Sequence, residues 1–291
     1  MPWGCSFLFL KLLSGELPPL TVALGRLVIA AAALSLILAA RGERVGPCLP
    51  HWRSFLMLGL LNNAVPFTLI IWGLTRVPTG TAAICNAMSP VFSVLVLRAL
   101  GGPALAPHKL AGALVGVAGV AVLVGPGAIL GVGGSGAGAG GQLLGSLACL
   151  GGALSYGFGS QFFAPVRHLP TMPMVTVQLW AGVALLLPPV LLLDQPWTLA
   201  APSATAWAAL LLLGLFSSAF GYMLFFRLAG SAGIANAMLV TFLVPVTAMV
   251  LGYLVLGEPV TPGAVLGAAV IAAGLALLDG RWLPARRGKP A

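Results

Sequence analysis

Charged residues are scarce in this chain of 291 residues. Asp, Glu, Lys and Arg make up 7% of it, and only 5 residues are acidic. Hydrophobic residues make up 59%, and the mean hydropathy is +1.07. A soluble domain of this size has no interior that could hide so many apolar side chains. The composition therefore excludes a soluble protein and predicts a polytopic membrane protein.

Cysteine and histidine are also rare, with 4 and 3 residues. No two cysteines have CxxC spacing, and three of them lie in predicted membrane helices, where a free cysteine behaves as a small apolar residue. The histidines fall in predicted loops and have no partner at metal-ligand spacing. The sequence therefore predicts no disulfide framework, no metal site and no cofactor.

The apolar residues are arranged in long runs. A helix must cross about 30 Å of hydrocarbon at about 1.5 Å per residue; nine runs are long enough, and a tenth is short. The period-two alternation of a membrane barrel is absent, so the runs predict helices. The expected fold class is an all-α polytopic membrane protein with ten transmembrane helices. The predicted spans are the short run 2–13 and the full runs 20–40, 54–74, 79–98, 107–125, 142–163, 173–193, 205–228, 232–255 and 262–280.

The two halves of the chain repeat each other, since residues 58–123 can be laid on 213–278 at a constant offset of 155 without a gap. Pro90, for example, falls on Pro245. Apolar low complexity could align Leu and Ala by coincidence, but it would not keep helix-breaking residues in phase. Five helices per copy is an odd number, so the second copy must enter the membrane with the opposite polarity. The pattern predicts two inverted five-helix repeats, which are typical of secondary transporters that work by alternating access.

The repeats divide the chain into four predicted parts. Residues 1–125 form the first repeat, 126–141 a Gly-rich linker, 142–280 the second repeat and 281–291 a basic cytoplasmic tail. The linker lacks the Lys-Ser/Thr ending of a phosphate-binding loop. We therefore interpret it as a flexible tether.

The first span begins abruptly. Trp3-Gly4 matches Tyr156-Gly157 of the second repeat, which has several helical turns before that point. We therefore expect a stretch of helix to be missing before Trp3, as a misplaced start codon would cause. A cleaved signal peptide is the alternative, but a basic n-region and a small-residue cleavage site are absent.

The basic residues cluster on one side of the predicted topology. Eleven of the 14 Lys and Arg residues fall on the side that holds both termini, and the other three are Lys11, Arg26 and Arg76. Short cytoplasmic loops retain Lys and Arg, so we expect both termini to be cytoplasmic. Contact with anionic inner-leaflet lipid then explains the net charge of +9, and no nucleic-acid partner is predicted.

Both halves carry short motifs of one type. They are Asn62-Asn63, Pro66-Phe67, Pro78-Thr79-Gly80 and Asn86-Ala87 in the first half, and Phe220-Gly221-Tyr222, Asn236-Ala237 and Leu256-Gly257-Glu258-Pro259 in the second. In these motifs the chain resembles the EamA-type transporters of the drug/metabolite transporter superfamily, and the resemblance covers nearly its whole length. It implies a ten-helix carrier of small metabolites in a bacterial inner membrane, often an exporter. Whether such a carrier acts alone or as a homodimer stays open.

The chain departs from the resemblance in two places. Its first span is short, and Pro103 stands where the second half has Glu258 and where the family commonly places an acidic residue. A non-transporting or impaired accessory protein of the membrane is therefore the alternative function. A membrane-embedded enzyme is less consistent with the sequence, because no acid, base, nucleophile and metal-binding groups converge within the spans.

Polar residues inside apolar spans point to a site, since each costs free energy unless it faces a cavity or a partner. Arg26 in the second span matches Gln178 in the seventh at an offset of 152. Inverted symmetry would place the two at opposite mouths of one central cavity. We interpret Arg26 as the group that binds a substrate anion; snorkelling to the interface, or pairing with backbone carbonyls, is the alternative.

Asparagines near proline give further candidates. Asn62 and Asn63 lie near the middle of the third span, and Asn86 lies one turn before Pro90 in the fourth. Because Pro90 has no N–H, a carbonyl near Asn86 is left free for a ligand or an Asn side chain. Thr241 precedes Pro245 in the same way in the ninth span. A kink satisfied by neighbouring helices is the alternative.

Aromatic and amide residues complete the predicted pocket. Phe67 and Tyr222 match each other in the two repeats, and Tyr156 and Gln161 add polar groups in the sixth span. Packing is the alternative role for these aromatic rings. A pocket of this kind suits an amino acid, an amide or an aromatic metabolite, whereas a sugar phosphate would require several buried cations.

The positions of the acidic residues bear on energy coupling. None of them falls near the middle of a predicted span, where proton-driven carriers usually have an ionisable relay. The sequence therefore predicts a facilitator or exchanger, or coupling through protonation of the substrate. The predicted function is secondary transport of a small metabolite across the inner membrane, with export as the expected direction.

Overall fold

The structure is a computed structural model that describes residues 2–125, 137–232 and 240–280, with the side chains of 137–139, 226, 229, 230, 232 and 240–242 left aside. Helices and turns make up these ranges, and none of their residues lies in a β-strand. The α-helices are α1 Pro2–Leu13, α2 Pro19–Arg41, α3 Trp52–Gly59, α4 Val65–Leu74, α5 Thr79–Asn86, α6 Ser89–Ala99, α7 Pro107–Val124, α8 Ala137–Gly159, α9 Thr171–Pro189, α10 Ala204–Leu212, α11 Gly221–Ala232, α12 Val240–Leu256 and α13 Pro262–Asp279.

Eight helical segments of the described chain are long and apolar enough to cross a membrane. Two shorter apolar helices, Pro2–Leu13 and Leu243–Leu256, accompany them. The prediction of an all-helical, multi-span membrane protein is confirmed, whereas ten helices and inverted repeats stay predictions. The eight segments are Pro19–Arg41, Gly46–Leu74, Thr79–Ala99, Pro107–Val124, Gly140–Val166, Thr171–Asp194, Ala204–Phe225 and Pro262–Asp279.

Proline and glycine set the ends of these helices. Pro19 occupies the first position of α2, where its missing N–H costs nothing and its fixed φ suits a helix. Gly42 ends the same helix with a φ of 67° and donates its N–H to the Ala39 carbonyl. The left-handed conformation is cheap for glycine because it has no Cβ.

Three of the described membrane segments contain a widened π-helical turn, and one of these turns, Val190–Asp194, ends its segment. The other two lie between α-helices: Leu60–Ala64 between α3 and α4, and Leu213–Phe220 between α10 and α11. They lie at corresponding places in the two halves under the offset of 155. Such a turn loosens the regular i→i+4 hydrogen bonding and shifts the faces that later residues present. Polar contacts between the halves are made at both turns.

The fourth predicted span is broken in the middle. Its first part, α5, ends at Asn86, and its second part, α6, begins at Ser89. Pro90 cannot donate a backbone hydrogen bond, so the regular ladder is interrupted just before it. The Ser89 hydroxyl donates to the carbonyl oxygen of Asn86 at 2.6 Å. The break therefore places a short polar stretch within an apolar helix.

Helices α7 and α13 cross each other at glycine residues. A Cβ added at Gly112 would lie 2.6 Å from the carbonyl oxygen of Gly274, and one added at Gly119 would lie 2.8 Å from the amide nitrogen of Ile271. Because glycine has no side chain, it lets two membrane helices approach backbone to backbone. Most of the helices share a large apolar core, in which Leu27, Ile71 and Leu179 are fully buried.

Candidate functional site

A cavity of about 330 Å³ lies among α1, α2, α4, α5, α6, α8, α11 and α12. Its polar lining residues are Ser6, Arg26, Asn86, Ser89, Ser93, Tyr156 and Tyr222. Its walls are otherwise apolar and include Trp3 and Phe67. Among the described residues, no Asp or Glu contributes to this lining. The cavity thus combines one cation, neutral hydrogen-bonding groups and aromatic walls.

Arg26 supplies the positive charge of the cavity. Its side chain projects from the second turn of α2, and the residue is 8% exposed. Its Nε donates to the Ser218 hydroxyl at 2.8 Å, and its guanidinium carbon lies 4.0 Å from the centre of the Phe67 ring. The ion pairs found in the described part of the chain join other residues, Lys11 with Glu258 and Arg41 with Glu43. A guanidinium has five N–H donors, so this one has capacity left for an anion.

Ser218 holds Arg26 in position. It lies in the π turn Leu213–Phe220, and its hydroxyl donates to the Leu213 carbonyl oxygen at 3.0 Å while it accepts from Arg26. The carbonyl fixes the direction of the hydroxyl hydrogen and leaves a lone pair for the guanidinium. The widened turn is therefore what orients the acceptor for Arg26.

Aromatic rings form the apolar walls. Trp3 meets Tyr222 edge to face with 6.0 Å between the ring centres, and it lies 5.2 Å from Phe225. Phe67 lies beneath the Arg26 guanidinium, and Tyr156 completes the lining from α8. Rings in this arrangement pack against an apolar body, while the tyrosine hydroxyls supply polar groups.

Asn86 lines the cavity where α5 ends. Its Oδ1 is buried and accepts no hydrogen bond from the described residues. Its backbone carbonyl, predicted from the sequence to be free, accepts from Ser89. The side-chain amide rather than the carbonyl is thus the polar group left without a partner at this break.

Gln178 and Asn63 meet each other outside the cavity lining. The Gln178 Nε2 donates to Asn63 Oδ1 at 3.4 Å, and the Asn63 Nδ2 donates to the Gln178 carbonyl oxygen at 3.1 Å. Both residues are buried. The structure thus places Arg26 in the cavity wall and Gln178 in a separate polar contact, rather than placing the two at mouths of the same cavity.

Gln161 and Asn62 are not part of the cavity lining that the structure describes. Gln161 donates to the Ser160 hydroxyl at 2.8 Å and more weakly to the Ser93 carbonyl at 3.4 Å. Asn62 packs against Gly159 of α8. The side chain of Thr241 lies outside the described residues. Of the predicted set, the structure brings Arg26, Phe67, Asn86, Tyr156 and Tyr222 together around the cavity.

Sequence reasoning missed five polar or aromatic residues of this site. The cavity lining includes Trp3, Ser6, Ser89 and Ser93, and Ser218 orients Arg26. A signal existed for two of them, since Trp3 matches Tyr156 and Ser218 matches Asn63 in the repeat alignment. The repeat alignment gives no such match for the lining serines. The Ser93 hydroxyl also donates to the Ser89 carbonyl within its own helix at 2.9 Å, a contact that serine makes in many helices.

Three carboxylates bind helix ends on one side of the molecule, which we name the carboxylate end after Glu16, Asp194 and Glu258. Glu258 accepts from the amide of Thr79 at the start of α5 at 2.8 Å and lies 3.7 Å from the Lys11 ammonium. That ammonium also donates to the Leu74 carbonyl at 2.7 Å. These contacts tie α1, α4, α5 and the turn before α13 into a closed cluster.

The other two carboxylates bind the starts of α10 and α2. Glu16 accepts from the amide and from the hydroxyl of Ser203, both at 2.7 Å. Asp194 accepts from the amide of Thr21 at 2.8 Å and from its hydroxyl at 2.7 Å. The hydroxyl and then the amide of Ser203 lower the pKa of the Glu16 carboxyl, because they stabilise its charged form.

The opposite end of the molecule carries different groups. The rings of His51 and His168 meet edge to face with 5.4 Å between centres, and we name this side the histidine end. Beneath them lies a buried apolar cluster that includes Phe55, Leu58 and Val166. In the described ranges no group of three or more His, Cys, Asp or Glu residues is arranged to hold a metal ion.

A second cleft, of about 470 Å³, lies between α5, α12 and α13. Its lining is apolar, with Ile84, Met249 and Ala268 as examples, and its one polar side chain in the described lining is Tyr253. An apolar surface of this kind suits the acyl chains of lipid. Although it is larger, it offers no group that could orient a polar molecule, so we take the cavity at Arg26 as the candidate site.

These features define the chain as a multi-span helical membrane protein with a small polar cavity among its helices. Residues 1–125 and 141–278 match the EamA-like transporter family, and the chain belongs to that family. It is similar to proteins that are named as transporters, so its class is that of a membrane transporter of small metabolites rather than an enzyme.

Three relatives illustrate the similarity. A probable terminal-alkyne amino-acid exporter of Streptantibioticus cattleyicolor is 29% identical over 91% of this chain and 86% of that protein. The uncharacterized transporter YvbV of Bacillus subtilis is 28% identical over 95% and 88%. The uncharacterized inner membrane transporter YedA of Escherichia coli K12 is 28% identical over 98% and 90%. A protein of known crystal structure shares the fold with a TM-score of 0.61, at 22% identity over 95% of this chain and 94% of that one.

Proposed function

We propose that this protein exports small metabolites that carry one carboxylate and an apolar body, such as amino acids or aromatic metabolites, by alternating access. The observation that carries the proposal is Arg26, a buried cation in a small aromatic cavity with no carboxylate partner among the described residues. A neutral amide can occupy the same cavity through Asn86 and the tyrosine hydroxyls, but it leaves the charge of Arg26 unpaired.

The chemistry of Arg26 favours a carboxylate. A buried guanidinium that is held by one hydroxyl and one ring is incompletely compensated for the loss of water. A carboxylate binds it through two parallel N–H···O bonds and neutralises its charge. One cation suits one negative charge, and a phosphate ester would call for more. A volume of about 330 Å³ is at the small end of ligand pockets.

The direction and substrate class draw support from a relative. The Streptantibioticus protein is named a probable terminal-alkyne amino-acid exporter. An amino acid with an unsaturated side chain carries the carboxylate and the apolar body that this cavity accommodates. We therefore favour amino acids within the proposed substrate class and export as the direction.

Alternating access requires two conformations of similar energy, which inverted repeats can supply. Corresponding polar contacts support this arrangement. Arg26 bonds Ser218, and Gln178 bonds Asn63. The first residues of the two pairs are related by the offset of 152, and the second residues by the offset of 155. In each pair, a side chain from the second helix of one half bonds a side chain in the π turn of the other half.

We place the carboxylate end outside the cell, with both termini in the cytoplasm, because Lys and Arg are concentrated toward the opposite side. The bonds of Glu16, Asp194 and Glu258 then close the outer side. The inner membrane is the expected location, as YedA is named an inner membrane transporter. Assembly as a homodimer stays a prediction.

No acidic residue in the described lining of the cavity could relay protons. Glu16, Asp194 and Glu258 lie at the carboxylate end, and none of them lines the cavity. We therefore propose a facilitator or an exchanger, in which a proton crosses only when the substrate carries it.

A binding experiment on purified protein tests the role of Arg26. L-leucine, L-phenylalanine, phenylacetamide and glucose 6-phosphate are titrated by calorimetry against the wild type, R26A and Q178A. We expect the amino acids to bind best and R26A to lose at least about thirtyfold in affinity, because the substrate carboxylate loses its buried partner. Q178A removes the corresponding side chain outside the cavity, so its affinity should stay within about threefold of wild type.

Two results would contradict the proposal. One is tighter binding of glucose 6-phosphate than of either amino acid. The other is an R26A variant that binds as the wild type does. If the folded wild type binds none of these compounds, the alternative of a non-transporting accessory protein is supported instead.

A further inference from the structure

The side-chain oxygen of Asn86 stands out among the polar atoms around the cavity. It is buried, and no described residue donates to it, although the residue that carries it lines the cavity. A buried acceptor without a donor is unfavourable, and native structures keep few of them. Other polar side chains in the lining, such as Ser89, Ser93 and Arg26, do make hydrogen bonds.

The local backbone explains why the Asn86 amide is left over. Asn86 is the last residue of α5, and the chain turns at Ala87 and Met88 before α6 begins. The Ser89 hydroxyl occupies the Asn86 carbonyl at 2.6 Å. The break that Pro90 imposes is thus satisfied within the main chain, so the side-chain amide is not needed to hold it together.

Rotation of the side-chain amide makes this oxygen available to a ligand. The last torsion of an asparagine side chain is broad and roughly two-fold, so a half turn of the amide costs little. The oxygen gives up no hydrogen bond when it turns, because no described residue donates to it. Asn86 can therefore present an acceptor to any molecule that fills the cavity beside Arg26.

We propose that Asn86 makes the cavity selective for acids that carry an N–H or O–H donor beside the carboxylate, as α-amino and α-hydroxy acids do. The inference rests on the proposed function, since Arg26 must hold the carboxylate. Once it does, Asn86 accepts a hydrogen bond from the neighbouring ammonium or hydroxyl group. A simple carboxylic acid binds at Arg26 but leaves the Asn86 oxygen without a donor.

The absence of acidic groups from the described lining sharpens the selectivity. A carboxylate in place of Asn86 would prefer an ammonium strongly over a hydroxyl, because it would pair with the positive charge. A neutral amide oxygen accepts from both. The cavity should therefore distinguish acids with a donor beside the carboxylate from acids without one. It should distinguish an ammonium from a hydroxyl group less strongly.

Ligands with one carbon skeleton test this inference. L-phenylalanine, L-3-phenyllactate and 3-phenylpropionate share a ring and a carboxylate and differ only in the group on the α-carbon. Leucine, 2-hydroxy-4-methylpentanoate and 4-methylpentanoate form a second, smaller series. Affinities are measured by calorimetry for the purified wild type and for N86L, N86D and N62L, each checked for cooperative thermal unfolding.

In the wild type we expect the amino and hydroxy acids to bind at least about fivefold tighter than the plain acid, which is the low end of the cost of an unsatisfied buried acceptor. N86L has a side chain of similar volume and no acceptor, so the difference should fall below about twofold while the plain acid still binds. N62L changes an asparagine outside the lining and should keep the wild-type ratio. N86D should prefer the amino acid over the hydroxy acid, and it provides a second variant if N86L fails to fold.

The outcomes separate this inference from the function beneath it. Equal binding of all three acids by the wild type, or an N86L ratio like that of the wild type, overturns the role of Asn86 and leaves Arg26 as the carboxylate site. An N86D variant that binds the amino and hydroxy acids equally also counts against it. If the wild type binds none of the acids in either series, the proposed function fails, and the selectivity fails with it.

Discussion

Ser218 shows how a single hydroxyl can govern the charged group of the cavity. It accepts from Arg26 Nε at 2.8 Å and donates to the Leu213 carbonyl at 3.0 Å. Removing it takes away the hydrogen bond from Arg26 Nε and leaves the contact of the guanidinium with the ring of Phe67. The substrate anion would then meet a less well-ordered partner.

We therefore expect S218A to weaken amino-acid binding about three- to tenfold, the net effect of a typical hydrogen bond. The adjacent Ser217 is the matched control, since it is also fully buried but its hydroxyl has no partner among the described residues. S217A should bind as the wild type does and unfold at an equal or higher temperature. Equal affinities for S218A and S217A, measured by calorimetry, would show that Ser218 does not position Arg26.

The Glu16 carboxyl provides a prediction about pH. Its pKa lies below the ordinary value of 4.5, since Ser203 donates to the charged form. A group whose pKa is depressed in the folded state contributes stability above its unfolded pKa, and the contribution is lost as the pH falls through the folded pKa. The contact should therefore stabilise the protein at neutral pH and stop doing so in acid below about pH 4.5.

The measurement compares the thermal unfolding midpoints of the wild type and E16Q in detergent from about pH 7 to pH 3. E16Q should unfold at a lower temperature at neutral pH, and the gap should shrink in acid because the wild type loses the same contact there. In an S203A background, which lacks the hydroxyl donor, E16Q should lower the neutral-pH unfolding midpoint by less than it does in the wild type. A gap that stays constant down to pH 3 would contradict the role assigned to Glu16.

The sequence predicted part of the cavity for a physical reason. Arg26 and Asn86 were found because a polar side chain in an apolar span needs a cavity or a partner. The same rule selected Asn63 and Gln178, which satisfy each other. Sequence alone cannot separate the two cases, because both meet the rule, and only the packing of α9 against the π turn decides between them.

At the scale of elements, the crossing of α7 and α13 depends on small residues. A Cβ at Gly112 would lie 2.6 Å from the Gly274 carbonyl oxygen, which is backbone and cannot move aside as a flexible side chain would. At Gly263, near the start of α13, an added Cβ would meet its nearest atom at 3.6 Å, an ordinary contact. The two glycines thus offer a matched pair.

We expect G112A to destabilise the protein by about 1–3 kcal/mol, the usual cost of overpacking. G263A should change stability by less than about 0.5 kcal/mol. Chemical unfolding in mixed micelles measures both. A G112A variant as stable as G263A would show that α7 and α13 do not depend on this close approach.

The elements themselves were largely readable from the sequence, whereas their irregularities were not. Long apolar runs predicted the helices, and Pro90 predicted a disturbance near Asn86. The π turns at Leu60–Ala64 and Leu213–Phe220 were not predicted, because a widened turn leaves no mark in apolar periodicity and depends on the contacts made by its neighbours. The site was harder to predict than the fold for this reason, since both turns carry its polar contacts.

At the scale of the whole molecule, the two ends carry different groups. The carboxylate end has the Lys11–Glu258 ion pair, with Glu258 also bound to the Thr79 amide. The repeat alignment puts Pro103 at the position of Glu258, so the first half cannot supply a corresponding carboxylate. We propose that the structure represents a state closed at the carboxylate end.

Neutralising Glu258 should loosen that closure. In a background without the 4 native cysteines, S6C provides a thiol in the cavity wall. E258Q should raise the rate at which an impermeant maleimide reaches this thiol from outside by several-fold, because Lys11 and the start of α5 lose a charged partner. The exchange K11E/E258K restores the pair of charges and should partly restore protection. Equal labelling rates in S6C with and without E258Q would contradict a closing role for the pair.

The central claim is that this protein carries small acids across the membrane through a cavity in which Arg26 binds the carboxylate. Counterflow in proteoliposomes tests it most directly: vesicles loaded with unlabelled L-leucine are diluted into labelled L-leucine, and the label inside is followed with time. We predict a transient accumulation of label in wild-type vesicles, unchanged when a pH gradient is collapsed, and none in R26A vesicles. Wild-type vesicles that accumulate no label although the protein binds leucine, or R26A vesicles that accumulate it equally, would contradict the claim.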